Sequence, residues 1–234
     1  MRYSALLSTL LLTICISGCK KSTVTLSPLA SLNIVNASVN LGTVKVNFTD
    51  LKGLYSSITT TVAYGANTPY GVNAGVIVPV TIVPTSDTTK VAFTGSFTFD
   101  NGGIYSLYLA GQSTAVDTVF VKENIPSYTD SLCGVRFINL SYNSNPIKVV
   151  LSTSSTVTEF PGMAYKQVSS FKTYPAKAAN ASYVFQIKDA AKDSLVATYT
   201  LTTPRFFNCT LALKGSWGTT SGTNALGVMR VNNY

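Results

Sequence analysis

The chain has 234 residues, 46% hydrophobic and 11% charged, with a formal net charge of +8 and no histidine. That length suits one or two ordinary domains, and the charged fraction is below half the usual quarter. The missing histidine excludes Ser-His-Asp and Cys-His nucleophilic sites and imidazole metal sites.

The N-terminus reads MRYSALLSTLLLTICISGCKKS. Arg2 is a short positive region, and Ala5 to Ile16 is an apolar run of about 12 residues, too short for a bilayer span of about 20. Cys15 sits in this run as a small apolar residue. The run ends Ile16-Ser17-Gly18-Cys19, which resembles the bacterial lipobox. The resemblance implies a signal peptide over 1–18, cleavage before Cys19, diacylglycerol on its thiol and an acyl chain such as palmitate on its amine. Two or more acyl chains hold a protein firmly to a membrane. Residues 19–29 read as the lipidated tether. Acids just after the lipid cysteine would direct a lipoprotein to the cell surface. Here Lys20-Lys21-Ser22-Thr23 follow, which favours the periplasmic face of the outer membrane. The basic residues are scattered and the compartment is wrong for nucleic acid.

Beyond Pro28 the chain reads as strands. Val44, Val46 and Phe48 alternate, then Phe97 and Phe99, Leu107 and Leu109, Val119 and Val121, Ile147, Val149 and Leu151, Phe185 and Ile187, Leu195 to Leu201, and Phe207 to Leu213. Short alternating runs punctuated by Gly, Pro, Asn and Asp are the half-buried strand signal. The pattern repeats. LNIVNAS (32–38) returns as VRFINLS (135–141), and VKVNF (44–48) as IKVVL (147–151), both offset by 103. Tyr70 returns as Tyr174, and Leu107, Leu109, Gly111 as Leu211, Leu213, Gly215, offset by 104. TVFVK (118–122) resembles GVMRV (227–231). Two copies of about 100 residues predict an all-β chain of two tandem immunoglobulin-like β-sandwich modules, over 30–126 and 127–234. Asn36 and Asn139 are expected to bond to backbone where the strand turns.

A lipobox followed by tandem modules opening with φ-x-φ-φ-Asn-x-Ser and closing near YSLYLAG resembles the domain of unknown function 4397 family of Bacteroidota envelope lipoproteins. That resemblance implies a β-sandwich envelope protein and brings no catalytic residues or cofactor.

Four features could still carry chemistry. Cys133 and Cys209 have core-facing parity, and an oxidising compartment would favour a disulfide between them. Thr88, Thr118, Ser131 and Ser194 follow aspartates and resemble O-glycosylation acceptors of Bacteroidota envelope proteins. Asp189 and Asp193 flank an apparent solvated hairpin turn. Tyr55, Tyr64, Tyr70, Tyr142 and Trp217 fall in loop-like stretches and could stack on sugar rings. The sequence therefore points to a non-catalytic envelope lipoprotein serving adhesion, accessory binding or structure, with an envelope protein or glycan as partner. The alternative is a glycan-binding accessory of a polysaccharide-uptake system, which requires an exposed aromatic platform.

Overall fold

The computed structural model describes residues 27–49, 55–202 and 205–233. The chain is all-β, built as two sandwiches of eight strands each. The first holds β1 (Leu29–Asn36), β2 (Val44–Asn47), β3 (Thr61–Val62), β4 (Ala66–Asn73), β5 (Ile77–Pro84), β6 (Phe93–Thr98), β7 (Ile104–Gln112) and β8 (Ala115–Lys122). The second holds β9 (Leu132–Asn139), β10 (Ile147–Leu151), β11 (Ser154–Met163), β12 (Lys172–Pro175), β13 (Ser182–Asp189), β14 (Leu195–Thr202), β15 (Phe207–Lys214) and β16 (Gly227–Asn233). Among the described residues one 3-10 turn, Ala178–Asn180, interrupts the second set.

The two sandwiches share one topology. The first pairs its strands as β4-β1-β7-β8 and β3-β2-β5-β6, and the second as β12-β9-β15-β16 and β11-β10-β13-β14. In each, the opening strand runs parallel to the seventh, β1 with β7 and β9 with β15, and every other ladder is antiparallel. The repeated phrases are therefore equivalent strands. Backbone conformation repeats with them. Asn40 and Asn143 both adopt left-handed φ (62° and 59°), as do Gly111 and Gly215 (73° and 102°). At Gly111 a Cβ would lie 2.5 Å from the Ala115 carbonyl oxygen, and at Gly215 it would collide with that of Ala225. Glycine recurs at this offset because each hairpin closes against its own backbone.

Alternation explains the two module cores. Leu32 and Ile34 on β1 and Leu107 and Leu109 on β7 point inward to meet Val44, Val46, Val80 and Ile82 of the facing sheet. Cys133, Val135 and Phe137 on β9 and Leu211 and Leu213 on β15 do the same against Ile147, Val149, Phe185 and Ile187. The sequence reading missed two edge strands, β4 and β11. β4 carries Pro69 and Gly71, and β11 carries Pro161 and Gly162. Both lie at sheet edges, where a missing N–H leaves no ladder bond unmade. β11 is also bulged, with register shifts along its pairing to β10.

The sequence reading took the strands as half-buried. The outer faces of β1, β7, β9, β15 and β16 are instead buried against each other. Val35, Ala37, Tyr108 and Ala110 of the first module pack on Ile138, Leu140, Ala212, Met229 and Val231 of the second. This third core joins the modules through their equivalent sheets. Strands buried on both faces lose alternation, which accounts for the unbroken apolar stretches Leu107–Ala110 and Leu211–Leu213.

Candidate binding surface at the module junction

Around the third core the two modules exchange polar contacts. Arg136, the second residue of VRFINLS, points outward from β9 and is buried in the junction. Its Nη2 donates to Glu123 Oε1 at 2.7 Å and to the Tyr108 hydroxyl at 3.1 Å, and its Nε donates to Thr210 Oγ1 at 2.8 Å. The guanidinium lies 4.7 Å from the centroid of the Phe171 ring. The Glu123 side chain is wholly buried, and its Oε2 has no partner among the described residues. Elsewhere at the junction, Asp117 of β8 accepts hydrogen bonds from the Tyr165 hydroxyl and from Lys166 Nζ, both at 3.0 Å. The Lys166 bond, with help from Tyr165, holds the Asp117 carboxyl below its usual range against the opposing pull of burial. Lys214 Nζ stands 4.5 Å over the Tyr64 ring, and burial lowers its pKa. Asn40 and Asn224 bond side chain to side chain.

Two clefts flank the segment joining β8 to β9. One, of about 420 Å³, is lined by Lys122, Asn124, Ser169, Ser170 and Phe171, with Arg136 in its wall. The other, of about 320 Å³, is lined by Ile104, Ile125, Tyr128, Phe206 and Asn208. The first combines one aromatic ring with hydroxyl and amide groups. That suits a polar ligand with a flat apolar face.

Cys19 lies outside the described residues. Cys133 and Cys209 face the second core as expected, but no bond joins them and both are free buried thiols. The register gives the reason. β9 and β15 are adjacent and parallel, with Cys133 opposite Phe207 and Cys209 opposite Val135. A two-residue diagonal across one strand spacing puts their Cα atoms about 8 Å apart, beyond the reach of a bridge. Burial raises both thiol pKa values, that of Cys209 to about 12.

The four glycosylation candidates are scattered. Thr88 lies in the β5–β6 turn and Ser194 in the equivalent β13–β14 turn, where Ser194 is exposed. Ser131 lies just before β9, and its N–H donates to Asp130. Thr118 lies within the β7–β8 ladder opposite Leu109, so a turn presents only some of the set.

The Asp189–Asp193 hairpin is a turn, but only Asp193 is solvated. Asp189 is buried, accepting from Asn145 Nδ2 and from the N–H groups of Ala191 and Lys192. Those bonds, Asn145 first, hold its pKa low.

The singled-out aromatics form no exposed platform. Tyr55, Tyr64, Tyr70, Tyr142 and Trp217 are all half-buried. Tyr70 packs edge-on against Phe48, and Trp217 packs on the second core. The sequence reading overlooked Arg136 and Glu123. Its available signal was a lone arginine between apolar residues in a core strand.

Asn36 and Asn139 are fold elements. Asn36 Nδ2 donates to the carbonyls of Gly42 (2.8 Å) and Val62 (3.2 Å). Asn139 Nδ2 donates to Ser144 Oγ (2.9 Å) and the Met163 carbonyl (3.2 Å). Each Oδ1 accepts the N–H two residues on, Ser38 or Ser141. The same side chain thus ties each opening strand to the turn after it and to the opposite sheet.

No family model and no curated protein matches the chain. One solved structure that it matches comes from work on alpha-glucan recognition by family 41 carbohydrate-binding modules from streptococcal virulence factors. Identity is 10%, the match covers 86% of this chain and 96% of that one, and the TM-score is 0.27. A likeness at that score carries no argument about function.

Proposed function

We propose that this chain is a non-catalytic cell-envelope lipoprotein of the domain of unknown function 4397 type. It is held by lipid on Cys19 at the outer membrane and presents its joined modules as an accessory binding or structural body. The observation that carries the reading is how the carboxylates among the described residues are used. Asp87, Asp100, Asp117, Glu123, Glu159 and Asp193 each sit in an ion pair. Asp130 and Asp189 accept backbone N–H groups. Carboxylates committed to internal partners are structural; an acid–base pair would face open space at a set separation. The residues that repeat between modules, Asn36 and Asn139, likewise bond the fold to itself. The test is metabolic labelling with a palmitate analogue in the native host. The label is expected on the wild type and absent from Cys19→Ser. An unlabelled wild type, or a labelled Cys19→Ser, would refute the anchor.

The second reading, glycan binding, draws its support from the 420 Å³ cleft, where Phe171 lies beside Asn124, Ser169 and Ser170. Its test is affinity electrophoresis in gels cast with α-glucans and other polysaccharides. Retardation by one of them, lost in Phe171→Ala, supports it. Unchanged mobility in every gel ends it.

A further inference from the structure

The anchor places one end of the body at the membrane, and that end carries an unusual apolar surface. β1 begins at Leu29, so the tether leaves beside the β4–β5 and β6–β7 turns. Backbone bonds lock these pieces together: Ala74 N to Pro28 O, Gly75 N to Phe99 O, Gly102 N to Leu29 O and Ser31 N to Gly103 O, all 2.8–2.9 Å. Leu29, Val76, Ile77 and Ile104 stand exposed on this end, Ile77 at 74%. The patch continues into the second module. Ile104 shares the 320 Å³ cleft with Tyr128 and Phe206, and Phe206, in the left-handed region at φ 59°, is 55% exposed. The opposite end exposes Val91 and Leu195 on separate modules. A folded chain ordinarily keeps its exposed apolar residues single; contiguous ones mark a docking surface.

We propose that this end docks on the lipid surface, with Leu29, Ile77, Ile104 and Phe206 entering the headgroup region. The proposal rests on the lipid anchor at Cys19. Pro28 lies nine residues after Cys19, so the tether spans at most about 30 Å. β1 alone is about 27 Å long. A tether leaving at the start of β1 therefore brings this end to the bilayer, and it would be used up in reaching the far end. The surroundings fit an anionic interface. Arg205 adjoins Phe206, Lys177 is exposed on the loop whose Ala176 N–H bonds Ser131 O beside β9, and Lys20 and Lys21 follow the lipid.

The chain has one tryptophan, Trp217, whose backbone N–H donates to the Tyr142 carbonyl at the opposite end. It serves as the internal control. The mature chain purified from membranes of the native host is reconstituted in vesicles containing phosphatidylglycerol and brominated phosphatidylcholine. Wild type is compared with Ile77→Trp and Phe206→Trp, each with and without Trp217→Phe. Docking predicts about twofold quenching at the two new positions and little at Trp217. Vesicle-bound protein with no quenching at either new position overturns docking and leaves the anchor standing. Protein that stays in the supernatant with an unmodified Cys19 mass overturns the anchor, and docking with it. A concentration-dependent blue shift without vesicles assigns the patch to a second copy and also overturns docking.

Discussion

The two opening strands, β1 and β9, carry the same message on one face and different ones on the other. Inward, Leu32, Ile34 and Asn36 match Val135, Phe137 and Asn139, and both sets enter a module core. Outward, Asn33 of the first module corresponds to Arg136 of the second. Asn33 accepts a bond from Asn67 beside a small cavity of about 40 Å³. Arg136 is buried against Glu123, Tyr108, Thr210 and Phe171. Duplication fixed the inward face because each sandwich must fill the same core. The outward face was free to diverge, since only one copy has to supply the charge that meets the other module.

The largest expected effect falls on the divergent residue. Arg136→Met leaves the Glu123 carboxylate buried without its partner, which costs about 3–5 kcal/mol. Adding Glu123→Gln should return part of that loss. Because the third core couples the modules, calorimetry of the single variant should split one transition into two. An unshifted single transition would show the junction to be inert. The repeated residues come next. Asn36→Ala and Asn139→Ala each strand buried carbonyl and N–H groups, at about 1–3 kcal/mol. Chemical denaturation should give similar losses for both; a loss confined to one would mean the shared phrase has different work in the two modules.

Much of this contrast was legible in the sequence. The offset of 103–104 marked equivalent strands, and it also aligns Asn40 with Asn143 and Gly111 with Gly215, which share a backbone conformation. Parity placed Cys133 and Cys209 in the core. Pairing them failed because parity reports a face and says nothing of register, and register sets them diagonally on parallel strands. The junction was hidden for a related reason. Which two sheets meet is a long-range property, and its local trace was only the loss of alternation at Leu107–Ala110. The aromatics stayed open between sugar stacking and core packing because loop-like sequence does not reveal whether a ring turns out or packs back, as Trp217 and Tyr70 do.

The thiols test the register directly. In the mature protein, without reductant, a thiol reagent at neutral pH should react slowly in the native state, because burial raises both pKa values and a thiolate is the reactive form. In denaturant both Cys133 and Cys209 should react at once. If neither reacts, the two strands hold a bridge and the register of β9 on β15 differs from the one described.

The smallest effect belongs to Asp117, which belongs to the first module but is held by Tyr165 and Lys166 of the second. Its pKa is lowered in the folded state, chiefly by the Lys166 bond. A carboxylate lowered on folding adds stability that is complete above its unfolded value, 3.8 on the reference scale, and is lost as pH falls through the lowered one. The pair is partly exposed, so Asp117→Asn should cost less than about 1 kcal/mol at neutral pH. The difference between variant and wild type should vanish once the pH lies below the lowered value, where the wild-type carboxyl is also neutral. Denaturant midpoints across that range measure it. A difference that persists in acid would assign the effect to packing around Tyr165, and the charge would then play no part in joining the modules.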